Sequence, residues 1–429
     1  MRYTHESFAV RRPVALGRVG SLIALAISTL AGCQVAPKPP TIVEVPAGSF
    51  VQEWKASIPE LATDPATQFF VRGDTLYAYA RSNQVYGFSA TGGKLVFSDE
   101  VVPSTATLRA PTLLPDHKVI FPAGDTLEEY DGAGRRLQSL RLGKATHSSG
   151  VAVGYTFYVG LDSTTGGRLA SLNLTPRVPT AEQIAASNKL NVSLESEIDR
   201  VTTNWEVLTI GAIQSTPVYY QGVVYAGAVD GNVWAINEQG AGIWSLPNGD
   251  HVFKTDGPIH ADLKADDFGL YVASEDGSLY CVDRGSGRVK WTFYSGSPLD
   301  TAPFVTATTV YQFVPSTGLV AIEKHPLGVA REKWTNADAV AALAEDTKNV
   351  YGQDKNGYLI AMDKADGHVV FRGVRKDLTV VAGGGGKLPF IYAATPDGNV
   401  IEIGPVLRPG TMGELVMDTI PAPFQICLQ

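Results

Sequence analysis

Six residues of metal-ligating types lie within seventeen positions in the middle of the chain. Imidazole and carboxylate groups are ligands that divalent metals take from proteins. The spacing matches no standard metal motif. Two of the six also fall on a predicted inner strand, and two fall on the turn that follows it. We therefore predict no metal site in this set, which consists of His251, Asp256, His260, Asp262, Asp266 and Asp267.

The four consecutive glycines Gly383 to Gly386 are a second segment that suggests chemistry, because glycine-rich loops bind phosphate. The segment lies between two predicted strands, no helix follows it, and the Lys-Ser/Thr ending of a phosphate loop is missing. We predict a hairpin turn. No Gly-x-Ser-x-Gly motif places a serine beside a base. The sequence thus predicts no catalytic residue and no cofactor.

The chain has three cysteines, Cys33, Cys281 and Cys427. Cys281 falls in the apolar strand pattern Leu279 to Val282, which favours a buried free thiol. An exported protein forms disulfides readily, so a bridge between Cys281 and Cys427 stays open as an alternative.

Residues 1–32 have the pattern of an export signal. Four arginines and one acid precede a short apolar run, which is shorter than the roughly 20 residues of a transmembrane helix. The ending Leu30-Ala31-Gly32-Cys33 resembles the bacterial lipobox, which implies a lipidated Cys33; an ordinary cleavage site is the alternative. Gln34 in place of Asp favours the outer membrane under the enterobacterial sorting rule. Residues 33–48 are rich in proline and form a predicted tether.

Composition and charge restrict the partners further. The chain of 429 residues is 44% hydrophobic and 18% charged, contains 44 glycines, and has a formal net charge of -8. These values are typical of a folded protein. Without a block of lysine and arginine the sequence has no electrostatic footprint for nucleic acid. We expect a monomer that binds protein partners and is held at a membrane by its lipid.

A repeat occupies most of the chain. Anchoring aromatics stand at positions 77, 121, 158, 225, 271, 311, 351 and 392. Most of their separations are near 40 residues, the length of a four-stranded propeller blade. In the best copies an Asp-Gly or Asn-Gly turn joins two alternating strands, and a later acid, glycine and aromatic complete the unit. The residues that define these copies are Trp54, Tyr225, Gly231, Tyr271, Gly277, Asp283, Trp291, Tyr351, Gly357, Asp363, Phe371, Tyr392 and Gly398.

The repeats predict an all-β fold, an eight-bladed β-propeller over residues 49–403. The last copy lacks its outer strand, and Phe50 to Trp54 supplies one, so the N-terminal strand closes the ring. Seven blades, and a β-sandwich or solenoid of hairpins, are the alternatives. Residues 174–200 are a predicted insertion for partner contact or a surface decoration. Residues 404–429 are a predicted loose tail.

The unit small-x-Asp-x-x-x-Gly-x-x-x-Trp/Phe occurs from Cys281 to Trp291 and from Ala361 to Phe371, and Gly87 to Phe97 is similar. It resembles the repeat of pyrroloquinoline-quinone-type β-propellers, in which the tryptophan docks between blades. The family contains quinoprotein dehydrogenases and BamB-type lipoproteins of outer-membrane β-barrel assembly, which have no chemistry of their own.

The lipobox and the single domain favour the BamB-type branch, and thus a non-catalytic scaffold on the outer membrane that faces the periplasm. No adjacent cysteines occur, although many quinoprotein dehydrogenases join such a pair over the cofactor. The alternatives are a small-molecule or quinone-binding propeller, possibly an oxidoreductase, and a lipoprotein associated with the surface or with polysaccharide.

Overall fold

The computed structural model describes residues 50–405, except for 164–165, 176–200, 247, 250, 327, 374–376 and 385–388, and the backbone of 414–415. In these residues the regular structure is almost entirely strand, and the single helix is the 3₁₀ turn Pro59–Ala62. None of this part of the chain forms a helix with the length and apolar character to cross a membrane. Cys33, Cys427, nearly all of the predicted insertion and most of the predicted tail lie outside the described residues.

Eight antiparallel sheets follow one another along the described chain. They form an eight-bladed β-propeller, which confirms the predicted fold and excludes the seven-bladed alternative. The strands of the first four blades are β2 (Ala66–Arg72), β3 (Thr75–Ala80), β4 (Gln84–Ser89) and β5 (Leu95–Glu100); β6 (Thr112–Leu113), β7 (Val119–Ala123), β8 (Thr126–Tyr130) and β9 (Arg136–Arg141); β10 (Val151–Val153), β11 (Thr156–Ser163), β12 (Gly166–Asn173) and β13 (Thr202–Thr209); β14 (Val218–Tyr220), β15 (Val223–Gly227), β16 (Asn232–Asn237) and β17 (Phe253–Lys254).

The fifth to eighth blades continue the series, and the eighth blade takes its fourth strand, β1, from the start of the described chain. Their strands are β18 (Lys264–Ala265), β19 (Leu270–Ala273), β20 (Ser278–Val282) and β21 (Val289–Tyr294); β22 (Phe304–Val305), β23 (Thr309–Val314), β24 (Gly318–Glu323) and β25 (Glu332–Asn336); β26 (Ala339–Glu345), β27 (Asn349–Asp354), β28 (Leu359–Asp363) and β29 (Val369–Arg372); β30 (Val380–Gly383), β31 (Ile391–Ala394), β32 (Asn399–Pro405), β1 (Phe50–Ser57) and the short β33 (Glu414–Leu415).

The first four strands of each blade in the order of its sheet are called A to D here. The A strands of neighbouring blades contact one another, as β2 contacts β30 and β14 contacts β18, so the A strands are innermost. Because adjacent strands are antiparallel, the A–B and C–D turns lie on one end of the ring, called the AB face. The B–C turns and the D–A connections lie on the other end, called the BC face.

The eight aromatic residues that set the predicted blade spacing all lie on B strands, and none is more than 6% exposed. Tyr271, for example, packs in a core that contains Cys281 and Trp291 of its own blade together with Val310 and Val320 of the next blade. The apolar core therefore lies between adjacent blades. Buried aromatic rings of this size contribute much of the stabilisation of such a core.

The ring closes as predicted. Strand β1 pairs antiparallel with β32, from Phe50 opposite Pro405 to Ser57 opposite Asn399. The C-terminal region adds a fifth strand to this blade, because β33 pairs with the start of β1. This closure removes the open edge that a linear series of sheets would leave.

Two inner strands begin directly after a proline. Strand β14 begins at Val218 after Pro217, and β22 begins at Phe304 after Pro303. Proline has no N–H to donate to the ladder, which explains why strand pairing starts only after it. Of the four glycines predicted to form a hairpin turn, Gly383 instead ends β30, and the Gly384 N–H bonds to the Phe390 carbonyl at 2.8 Å; Gly385 and Gly386 lie outside the described residues.

Candidate functional site

Tryptophans near the outer edge of the blades connect neighbouring blades at five junctions of the described residues. The indole Nε1 of Trp291, on a D strand, donates a hydrogen bond to the carbonyl oxygen of Lys324 in the next blade at 3.1 Å. The acceptor lies at the start of a C–D turn on the AB face. Because the contact joins two blades, it fixes their spacing. In the described residues the same bond, at 2.7 to 3.0 Å, joins Trp54 to Ala90, Trp205 to Glu238, Trp244 to Arg284 and Trp334 to Lys364.

A glycine in the receiving turn makes room for the ring. A Cβ on Gly367, where φ is +77°, would lie 2.4 Å from Cε3 of Trp334. A Cβ on Gly287 would similarly lie 2.9 Å from Trp244. The glycine and the tryptophan of one sequence motif thus belong to different junctions: Gly287 receives the preceding blade, and Trp291 docks on the following one.

The junction between the first and second blades has a phenyl ring in place of the indole. Phe97 pairs with Gly87 in the register in which Trp291 pairs with Cys281. The ring lies over Gly134, where a Cβ would come within 2.5 Å of it. Phe97 has no N–H to donate. Gly132 directly follows Asp131, the first residue of this C–D turn, as the acceptor Arg284 directly follows Asp283, so the Gly132 carbonyl stands at the acceptor position.

A cleft of about 490 Å³ opens on the AB face at this junction, and we call it the blade 1–2 cleft. Val96 and Leu113 line it and are 38% and 37% exposed, which is high for apolar side chains of their size. Tyr77, Phe97 and Gly132 also line it. The cleft therefore offers apolar surface beside a backbone carbonyl.

The charged groups of the blade 1–2 cleft are one guanidinium, one imidazole and three carboxylates. The Arg72 Nε donates to the Pro111 carbonyl at 2.8 Å, and burial lowers the pKa of Arg72. The carboxylates are those of Asp74, Asp116 and Asp131, and the imidazole is that of His117. These three carboxylates outnumber the guanidinium of Arg72, even together with that of Arg135, which pairs with Asp131 at 3.1 Å.

Asp116 and His117 form the A–B turn beside the cleft with φ of +60° and +58°. Left-handed backbone is unfavourable for residues with a side chain and is concentrated at functional sites. The Asp116 carboxylate accepts a hydrogen bond from the Tyr155 hydroxyl at 2.9 Å, which ties this turn to the third blade.

A second cleft, of about 280 Å³, lies on the AB face between the fourth and fifth blades. The Arg284 guanidinium stacks 4.2 Å from the Tyr220 ring centre, and its Nη1 donates to the Gln221 side-chain oxygen at 3.2 Å. The Tyr220 hydroxyl donates to Asp267 at 2.7 Å, and this bond raises the pKa of Tyr220. Most of the polar groups in this cleft thus have partners within it.

The structure places the six metal-ligating residue types at separate positions. His260 and Asp262 lie in the D–A connection on the BC face, before β18 rather than on it. Asp266 and Asp267 lie in the A–B turn on the opposite face. Within the described residues no three His, Cys, Asp or Glu side chains come together as metal ligands.

The remaining two residues of this set are also held locally. The Asp256 N–H donates to Asp276 at 3.0 Å on the BC face, and His251 Nδ1 contacts the Trp244 carbonyl at 2.9 Å. Quinoprotein dehydrogenases hold calcium with a carboxylate and amide set and place a base beside the quinone. The six residues lie on opposite faces of the ring or bond to separate partners, so they do not form such a set.

The sequence model of the family described as "Outer membrane protein assembly factor BamB" matches residues 51–293 and 229–325. These segments cover the first five blades, most of the sixth and the closing strand. The chain belongs to this BamB family.

One curated BamB relative matches over a shorter stretch. It is the outer membrane protein assembly factor BamB of Alkalilimnicola ehrlichii, 29% identical over 144 residues, which are 34% of this chain. The match spans 31% of that relative's length.

Two solved structures have the same fold. The BamB structure from Moraxella catarrhalis matches with a TM-score of 0.57 at 16% identity, covering 83% of this chain and 97% of that one. The computationally designed Ika8 protein matches with a TM-score of 0.57 at 15% identity, covering 82% and 99%. At these identities the two structures support the propeller fold only.

Sequence reasoning missed both clefts and the docking tryptophans Trp244 and Trp334. The clefts are formed by turns from neighbouring blades, which periodicity within one blade does not show. One signal was available: the repeat pattern has Phe97 where other copies have a tryptophan, and the larger cleft lies at this junction, although Phe371 is the same exchange in the seventh blade.

Proposed function

We propose that this chain is a non-catalytic scaffold that binds protein partners in outer-membrane β-barrel assembly. The family match over residues 51–325 is the observation that carries the proposal. The eight-bladed ring supports it, because rigid blades hold broad turn-lined faces in place for a partner. The AB face also has two clefts lined by aromatic side chains and arginine, residue types that are enriched in binding hot spots.

The location follows from the predicted N-terminal segment. Acylation of Cys33 after removal of residues 1–32 would hold the propeller at the outer membrane, facing the periplasm. Several acyl chains give stable anchoring where a single chain is marginal. The proline-rich stretch to residue 48 would act as a spacer between the lipid and the first strand.

Affinity purification from cross-linked, detergent-solubilised envelope tests the proposal. Tagged full-length chain is expected to recover the outer-membrane barrel-assembly protein by mass spectrometry. The Cys33→Ala variant should recover less, because it leaves the membrane fraction. Recovery of no assembly component would overturn the scaffold role. A chromophore in the near ultraviolet on the purified protein would instead favour quinone or small-molecule binding.

A further inference from the structure

We propose that the blade 1–2 cleft binds an aromatic side chain with a ring donor, best a tryptophan, carried on a basic segment of a protein partner. The inference rests on the proposed scaffold function and adds the chemistry of the partner. Its basis is the internal repetition of the propeller, since five other junctions in the described residues show which group the docking site accepts.

The first argument is shape. At five of the other seven junctions the indole of the preceding blade lies against the C–D turn, and at four of these five it covers a glycine. At the blade 1–2 junction Phe97 supplies only a six-membered ring, and a cleft of about 490 Å³ is present there. The seventh blade also has a phenylalanine in this position, Phe371, but its ring packs against Phe50 at 5.6 Å. Because the Phe97 ring already covers Gly134, a partner ring would lie beside it in the cleft and supply the ring N–H that the chain supplies at five other junctions.

The second argument is the hydrogen bond. Each of the five indoles donates to a turn carbonyl at 2.7 to 3.1 Å. The carbonyl at the same position of the second blade, that of Gly132, lines the cleft. An apolar ring alone would bury this acceptor without a partner, which costs about 1–3 kcal/mol. A ring with an N–H satisfies the carbonyl, so the cleft selects a tryptophan over a phenylalanine.

The third argument is charge. The carboxylates of Asp74, Asp116 and Asp131 line the cleft. Asp131 pairs with the exposed Arg135 at 3.1 Å, while the Arg72 guanidinium donates to backbone carbonyls on two of its nitrogens. Lysine or arginine beside the aromatic residue of the partner would complement these carboxylates, and such pairs steer association. The exposed Val96 and Leu113 would pack on the partner ring and lose their contact with water.

A peptide titration tests the chemistry without knowledge of the partner. Full-length protein in detergent is titrated by calorimetry with acetyl-Lys-Trp-Lys-amide and with acetyl-Lys-Ala-Lys-amide. The tryptophan peptide is expected to bind at least about tenfold more tightly, a difference that corresponds to about 1.4 kcal/mol. Equal binding of the two peptides would overturn the proposal.

Two variants place the binding in the cleft. Phe97→Trp supplies in the chain the ring that five junctions already contain, so it should fold and lower peptide affinity about tenfold or more. Leu113→Asp puts a charge into the cleft and should also abolish the preference for tryptophan. Leu137→Asp is the matched control, because Leu137 is 38% exposed on the outer strand of the same blade. If the Phe97→Trp variant still binds the tryptophan peptide more tightly than the alanine peptide, the peptide binds elsewhere and the proposed site is refuted.

The envelope purification separates this inference from the scaffold proposal. If Phe97→Trp recovers the assembly protein as well as the unmodified chain does, the scaffold stands and the cleft is not its docking site. If neither protein recovers it, the scaffold fails, and the peptide titration still decides whether the cleft accepts an indole.

Discussion

The indole Nε1 of Trp54 donates a 3.0 Å hydrogen bond to the carbonyl oxygen of Ala90, and this contact joins the last blade to the first. The Trp54 ring also lies 6.4 Å from the Phe88 ring and 5.9 Å from the Tyr392 ring. The strand from the start of the described chain therefore closes the propeller with the same contact that four other junctions use. Closure and blade spacing have one physical basis.

The glycine that receives a docking indole should be intolerant of a side chain. In Gly367→Ala the added methyl would lie 2.4 Å from the Trp334 ring, and φ there is +77°. Overpacking of this kind costs about 1–3 kcal/mol beyond the backbone penalty. We expect a clear loss in the free energy of unfolding, measured by urea denaturation.

Gly296→Ala separates the clash from the backbone effect. Gly296 has a similar φ of +73°, and no atom lies within 4 Å of the position of its Cβ. The free energy of unfolding of this variant should fall only by the cost of left-handed backbone, about 1–2 kcal/mol. Equal losses in the free energy of unfolding would show that contact with the indole is not the reason why position 367 is intolerant of a side chain.

A buried carboxylate in the second blade should depend on its arginine. Glu128 is 3% exposed and accepts hydrogen bonds from Thr126 and Ser139, both at 2.9 Å, as well as a salt bridge from Arg136. Arg136→Met leaves this buried charge without a cation. We expect destabilisation of about 3 kcal/mol, the low end for a broken buried pair, because Arg136 is half-exposed.

The neighbouring arginine provides the control. Arg135 is 79% exposed and pairs with Asp131 at 3.1 Å. Arg135→Met should change the free energy of unfolding by about 0–1 kcal/mol, as for other surface pairs. Both variants are compared by urea denaturation at pH 7. A loss at Arg136 no larger than at Arg135 would mean that the bonds from Thr126 and Ser139 are enough for Glu128.

Much of the fold was predictable because the packing of a propeller repeats. The aromatic spacing, the Asp-Gly turns and the missing last strand each reflect a local rule, and together they predicted eight blades and their closure. The exceptions were not predictable from that rule. Glu128 and Glu402 occupy positions that are small in most other blades, such as Cys281 opposite Tyr271. Some of their partners lie on other strands, as Ser139 and Arg136 do for Glu128. The clefts likewise depend on contacts between blades.

Glu402 should make the closing blade sensitive to pH. It is 4% exposed. Burial and the nearby charge of Glu53 raise the pKa of Glu402 by more than the hydrogen bonds with Tyr392 and Trp54 lower it. Because the pKa of Glu402 is higher in the folded state than in the unfolded state, where it is about 4.3, its contribution to stability is fully present below pH 4.3. This contribution is lost as the pH rises through the folded-state pKa. Glu402→Gln removes this loss.

The comparison is made by thermal unfolding from pH 4 to 8. The midpoint of Glu402→Gln relative to the unmodified protein should rise with pH and level off above the folded pKa. Glu60→Gln is the control, because Glu60 is exposed in the 3₁₀ turn next to the same blade. A Glu402→Gln curve parallel to the unmodified one would show that burial of this carboxylate has no effect on stability.

Cys281 should behave as an inert thiol in the folded protein. Its side chain is fully buried and free, and burial raises the pKa of the thiol to about 12. Only the thiolate reacts with alkylating reagents, so a buried thiol of high pKa reacts slowly. We expect mass spectrometry to find almost no iodoacetamide on Cys281 at pH 8, and complete labelling after denaturation in urea without reductant.

Reductant distinguishes a buried thiol from a bridged one. If Cys281 were joined to Cys427, denaturation alone would leave it unlabelled, and labelling would need dithiothreitol. The Cys427→Ala variant is the control, since a bridge would then be impossible and Cys281 should label in urea in every case. Rapid labelling of the native protein would contradict the burial of Cys281 between the fifth and sixth blades.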